Sequence, residues 1–185
     1  MRIIAGIAGS IPLKVPRSLT RPTTDRVREA IFSALGDLVI GARVLDLFAG
    51  SGSLGIEALS RGATRADFVE SHGAACTVLS ENLEKSRLSG GHVHRRDVPA
   101  FLSTLAPSGY DILFADPPYA RDEEMLNLLT TVINHPALPR ALSTNGILVL
   151  ETLDRGPLPS TELWDLAREK SYGSTRVSYL TPREL

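Results

Sequence analysis

Val44-Leu45-Asp46-Leu47-Phe48-Ala49-Gly50-Ser51-Gly52-Ser53-Leu54-Gly55 is the stretch on which the fold turns. An apolar run, a glycine-rich turn and the start of a helical pattern follow in that order, as where a buried strand feeds a ligand loop and a crossover helix. The glycines satisfy G-x-G-x-x-G, and Glu70 stands twenty residues beyond Gly50, at the end of the next apolar run. A carboxylate there can bind ribose hydroxyls. Glycines allow close backbone approach to a ligand, and Ser53 is placed to cap the helix. Several adenosine cofactors would suit such a loop, and Asp46 separates them. A carboxylate just before the loop repels an anionic pyrophosphate but attracts a cationic methionyl group, and S-adenosylmethionine carries an ammonium and a sulfonium.

Outward from this stretch, apolar runs alternate with helical patterns. Residues 43–47, 66–70, 92–95, 110–115 and 146–150 read as strands, and 53–61, 72–88, 98–105 and 123–134 as helices between them. Such alternation predicts a mostly parallel α/β sheet with helices on both faces and right-handed crossovers. Before the first strand, Val27, Ala30, Ile31, Ala34, Leu35 and Leu38 keep helical spacing, with Thr24 or Asp25 as N-cap. Short β-like pieces at 2–5 and 13–15 suggest an amino-terminal hairpin, and 166–172 with 175–180 flank Gly173-Ser174 as a second. The segment 134–145, with Pro136 and Pro139, reads as irregular, and Trp164 as a packing residue at helical spacing.

A second motif lies seventy residues beyond Asp46, where Asp116-Pro117-Pro118-Tyr119 follows the run Ile112-Leu113-Phe114-Ala115. Two prolines stop the strand, remove two N–H donors and leave carbonyls as acceptors beside a carboxylate and an aromatic face. Acceptors next to a stacking surface suit a planar amine. Asp97, at the end of the third strand, is an acceptor for an adenine amine or an N-cap.

The chain has 185 residues, 43% of them apolar, which suits one domain with its own core. A basic arm over 1–22 and a core over 23–185 are expected within that single domain. No apolar stretch approaches a membrane span and no signal-like segment opens the chain, so a soluble, cytoplasmic protein without membrane contact is expected. Cys76 stands alone as a small buried residue. His92 and His94 alternate along one strand but lack a third ligand, so no metal is expected. Charge is uneven: residues 1–28 hold six basic side chains against one acidic, or +5, on a chain of net charge −1. This amino-terminal stretch of 28 residues offers Arg21, Arg26 and Arg28 to a phosphate backbone.

The two motifs together resemble the Rossmann-like amino methyltransferases. With Arg2-Ile3-Ile4-Ala5-Gly6, Arg21-Pro22-Thr23-Thr24-Asp25-Arg26-Val27-Arg28-Glu29 and the run from Leu45 to Gly62, nearly the whole chain is similar to the bacterial RsmD family of 16S rRNA guanine-N2 methyltransferases. The resemblance implies a seven-stranded sheet with a reversed last strand, S-adenosylmethionine as cofactor, and small-subunit rRNA within an assembled or assembling 30S particle as partner, with the enzyme a monomer. Cofactor contacts are expected from Asp46, Phe48, Gly50, Ser51, Gly52, Leu54, Glu70, Ser71, Asp97 and Val98. Substrate contacts are expected from Arg21, Thr24, Arg26 and Arg28, with Thr23 and Thr24 shaping the pocket entrance or capping the helix.

In catalysis, the Asp116 side chain and the Pro117 carbonyl would accept the two amine N–H groups, and Tyr119 would stack on the base. The chain departs from the family where Ala8, Ser10 and Ile11-Pro12 replace the hairpin's usual basic residues, which implies fewer phosphate contacts there. A DNA adenine-N6 methyltransferase would share the Asp116 motif, but the chain has little room for a target-recognition region. A nicotinamide oxidoreductase would explain the glycines and Glu70 but neither Asp46 nor the proline motif. An RNA-binding assembly factor without turnover would have no use for Asp116, Pro117 and Tyr119 together.

Overall fold

The computed structural model describes residues 1–16, 23–107, 109–117, 123–156, 159 and 161–183. Helix α1 (Asp25–Leu35) precedes strand β1 (Arg43–Leu47), α2 (Ser53–Ser60), β2 (Arg65–Glu70), α3 (Gly73–Ser86), β3 (Gly91–Arg95) and α4 (Val98–Leu102). Then follow β4 (Tyr110–Ala115), α5 (Glu123–Ile133), α6 (Ala137–Ala141), β5 (Leu142–Leu153), β6 (Trp164–Tyr172) and β7 (Thr175–Pro182). The seven strands form one sheet in the order β3-β2-β1-β4-β5-β7-β6. β1 to β5 are parallel, and β7 runs antiparallel to both β5 and β6. This is the Rossmann-like methyltransferase sheet with its last strand reversed. The order turns back between β1 and β4, and in such sheets the crevice at that switch point, beyond the carboxyl ends, is where ligands bind.

Alternation along the strands splits the core in two. Val44, Phe68, Ile112 and Phe114 pack with α1, α2 and α3 on one face, whereas Leu45, Leu47, Val69 and Leu113 pack with α4, α5 and α6 on the other. Buried side chains on both faces explain why these strands read as continuous apolar runs. Phe32 of α1 meets Phe114 with ring centroids 5.7 Å apart, seating α1 against the sheet.

The amino-terminal pieces pair through a single bridge, Arg2 with Pro12, extended by bonds between Ile3 and both Ser10 and Ile11. Buried Glu57 of α2 anchors this hairpin, accepting the Ile4 and Ala5 N–H groups at 2.7 and 3.1 Å and the Arg61 Nε at 2.7 Å. Cys76 is buried, as expected. Among the described residues no helix is long and apolar enough to cross a membrane.

Three local expectations are corrected. The segment 134–145 is not irregular, because α6 and the start of β5 occupy most of it. Pro136 is the N-cap residue of α6 and Pro139 lies in its first turn, where a missing N–H breaks no helical bond. Trp164 lies in strand β6, not at a helical position, and its indole donates to the Ile133 carbonyl at 2.9 Å across the sheet-helix interface. Helix α4 stops at Leu102, short of the expected Leu105.

Candidate active site at the carboxyl ends of the strands

The glycine loop is held open by backbone conformation and pinned by carboxylates. Phe48, Gly50 and Gly52 all adopt positive φ, at 62°, 54° and 78°. For glycine this is free, but for a bulky residue such as Phe48 it stores strain, a feature that gathers at ligand sites. Glu70 at the end of β2 accepts the Gly50 N–H at 2.9 Å with Oε2 and the His72 N–H at 2.7 Å with Oε1. Asp46 on β1 accepts the Gly55 N–H at 2.9 Å. The two carboxylates assigned to the cofactor thus also fix the loop that would receive it.

Ser53 does not cap α2. The left-handed Gly52 is the N-cap residue and Ser53 the first helical one, with no side-chain cap bond. Gly55 is required by packing, since a Cβ there would stand 2.3 Å from the Phe68 ring. Ser51 and Leu54 are buried, and the Ser51 carbonyl accepts from the Asn82 side chain at 2.9 Å, tying the loop to α3.

The site gathers acidic side chains. Asp46 is 2% exposed, and its carboxyl is pushed well above the usual carboxylate range, first by burial and then by the charges of Asp116 and Glu70, against the Gly55 N–H that favours ionisation. Asp116, next to the end of β4, is raised to about 6 by burial, offset in part by a hydrogen bond from Thr23. Asp46 of β1 therefore interacts at the switch point with Glu70 of β2 and with Asp116, which directly follows β4. Like charges gathered in one place are costly without a counter-ion, so a ligand that brings positive charge suits this region better than one that brings a pyrophosphate.

Around this centre, Asp97 caps α4 by accepting the Ala100 N–H at 2.8 Å, and Val98 behind it is buried. Ser71 is exposed and 3.2 Å from His72 Nδ1. Phe48 is half-buried against the core on the α4 side. Pro117 is buried, whereas Tyr119, Pro118 and Arg21 lie outside the described residues. Thr24 is exposed and caps α1 through the Val27 N–H at 3.3 Å, and Arg26 is exposed.

Arg28 departs from its expected place on the RNA-facing surface. It is 0% exposed, donates to the Arg2 carbonyl at 2.6 Å and to Asp25 at 2.8 Å, and fastens the amino-terminal hairpin from inside. A side chain with no exposed surface cannot reach a phosphate without unfolding its surroundings.

Two further residues enter the site with less warning from the sequence. Thr23 donates toward Asp116, and Glu151 of β5 lies 3.2 Å from the same hydroxyl. Position was the available signal for Glu151: it directly follows the apolar run of residues 146–150, as Asp116 directly follows Ala115.

Over residues 1–181 the chain matches the family described as conserved hypothetical protein 95. It is 39% identical to YlbH of Bacillus subtilis strain 168, across 99% of this chain and 100% of that protein. It is 37% identical to the ribosomal RNA small subunit methyltransferase D of Escherichia coli K12, across 97% and 87%. Among solved structures, yhhF from Escherichia coli superposes with a TM-score of 0.80 at 35% identity, covering 98% of this chain and 97% of that one. A hypothetical protein of Thermus thermophilus gives 0.81 at 32% identity, covering 98% and 99%.

Proposed function

This chain belongs to the RsmD family of small-subunit ribosomal RNA methyltransferases, the family described as conserved hypothetical protein 95, and from that premise we propose that it methylates the exocyclic N2 amine of one guanine in 16S rRNA. The observation that carries the site assignment is the meeting of Asp46, Glu70 and Asp116 at the switch point, beside a glycine loop in left-handed conformation. S-adenosylmethionine supplies a methyl group already activated by its cationic sulfur. Asp46 and Glu70, with Phe48, Gly50, Ser51, Gly52 and Leu54, would hold that cofactor, and Ser71, Asp97 and Val98 would border its adenosine end.

The protein's task is then to prepare the nucleophile. The lone pair of a guanine amine is delocalised into the ring, so acceptors on its two N–H groups favour the pyramidal form that attacks. Asp116 and the Pro117 carbonyl are the acceptors, and Tyr119 is the stacking surface. To reach them the base must leave its RNA neighbours. Asp116 accepts best when ionised, so turnover should fall as pH drops through about 6. Arg26, exposed on α1, is a candidate contact to the RNA backbone, and Arg21 is another. The substrate would be a 30S particle, assembled or assembling, and the enzyme would act as a monomer.

The experiment is a nucleoside digest of 16S rRNA after incubating 30S particles, from cells lacking this protein, with the enzyme and labelled S-adenosylmethionine. One N2-methylguanosine per particle is expected, and none with Asp116→Ala, which should still bind cofactor. Label in another nucleoside, or full turnover by Asp116→Ala, would refute the assignment.

A further inference from the structure

Two adjacent threonines, alike in sequence, divide their work. Thr24 uses its hydroxyl to cap α1, whereas Thr23 turns inward and is 5% exposed. Its Oγ1 lies 2.5 Å from Asp116 Oδ2 and 3.2 Å from Glu151 Oε2. Glu151 is itself 3% exposed. Among the described residues, Asp116 interacts with Asp46 from β1 and with Thr23 from the segment leading into α1, and Glu151 from β5 shares the Thr23 hydroxyl.

A hydroxyl has one proton to donate. Directed at Asp116, it fixes one carboxylate oxygen, leaves the other for an amine, and favours the ionised form. Directed at Glu151, it leaves Asp116 facing an oxygen lone pair, a contact that only a protonated carboxyl satisfies. The orientation of Thr23 and the charge of Asp116 are therefore linked.

We propose that Thr23 is a positioning residue of the methyl-transfer site: its hydroxyl holds the Asp116 carboxylate ionised and turned toward the substrate amine, in competition with the Glu151 carboxyl for the same proton. The inference rests on the reading of Asp116 as the amine acceptor. It gives the segment Arg21 to Glu29 a role in the chemistry as well as in RNA contact. The hydrogen bond from Thr23 is also what restrains the upward shift of Asp116.

The test is the pH profile of kcat/KM for the full chain acting on 30S particles from cells lacking it, for wild type, Thr23→Val, Thr23→Ser and Asp116→Ala. Valine replaces the hydroxyl by a methyl of the same shape. Thr23→Val should lower kcat on the order of tenfold to a hundredfold and leave the KM for S-adenosylmethionine within about twofold. Its acid limb should move up by roughly one pH unit, and Thr23→Ser should restore both. Wild-type kcat and acid limb in Thr23→Val would overturn the proposal. So would a loss of kcat with the limb unmoved and no rescue by serine, the mark of a packing role. Asp116→Ala separates the two levels: if it turns over normally the reading of Asp116 fails, and if it is dead while Thr23→Val is normal only the role of Thr23 fails.

Discussion

Replacing Gly55 with alanine should destabilise the protein even though alanine is the better helix former. A Cβ built on Gly55 lies 2.3 Å from Phe68 Cε1, 2.7 Å from Cζ and 3.1 Å from Cδ1. Carbon atoms pack at about 3.5–4.0 Å, so the ring would have to retreat by more than an ångström. Phe68 is fully buried in the core beneath α2, and interiors at crystal-like density offer no such space. Overpacking of this kind costs about 1–3 kcal/mol. The gain in helix propensity, up to about 1 kcal/mol in a helix interior, is smaller here because Gly55 lies in the first turn of α2.

A net loss of about 1–2 kcal/mol corresponds to a fall in Tm of roughly 2–8 °C for a chain of this size. Urea denaturation of Gly55→Ala, Phe68→Leu and the double variant would measure it. Phe68→Leu alone loses packing, but in the double variant it makes room for the new methyl, so the two changes should couple favourably by about 0.5 kcal/mol or more. A second readout is cofactor affinity. Moving α2 away from the sheet lengthens the 2.9 Å bond from the Gly55 N–H to Asp46 and loosens the loop. An unchanged or raised Tm in Gly55→Ala, or strict additivity in the double variant, would refute the reasoning.

Arg26→Ala should weaken binding to 30S rRNA and reduce the slope of log K against log salt by about one with Tm unchanged, whereas Arg28→Ala should do the reverse; salt-titrated binding and thermal melts of both variants decide. For Asp116 the sign is fixed by a folded pKa of about 6 against an ordinary 3.8: the folded state holds the proton more tightly, so stability falls as pH rises between those values and is level above. Asp116→Asn removes that penalty and should raise stability at pH 7 by about 1–3 kcal/mol with little gain at pH 4, as measured by denaturation at both pH values. Equal gains at the two pH values would contradict it.

Much of the candidate site was legible because its signals are local. Asp46, Glu70 and Asp116 each stand at or beside the end of an apolar run, and apolar runs are visible without a partner. The glycine spacing identified the loop, yet the left-handed Phe48 inside it was not legible, since nothing in that residue's chemistry calls for positive φ. Trp164 was misplaced because its spacing with Leu163 and Leu166 fits a helix as readily as the strand that Trp164 begins. The prolines at 136 and 139 read as breakers although they sit where a helix tolerates them.

By itself the sequence determined the order of the strands and of the longer helices, though not α6, and it put the candidate site residues at the carboxyl ends of the strands. Those properties follow from hydrophobic period and turn chemistry within a few residues. Only the tertiary structure decided how the polar segment from Thr23 to Arg28 is divided: Thr23 inward to Asp116, Thr24 to the helix cap, Arg26 to solvent, Arg28 into the hairpin anchor. A pattern of apolar and polar residues marks the face that must be buried and says nothing about which polar groups are buried with it. That choice was made by the acceptors the fold brings close: Asp116 seventy residues from Asp46, Glu151 on β5, and the carbonyl of Arg2.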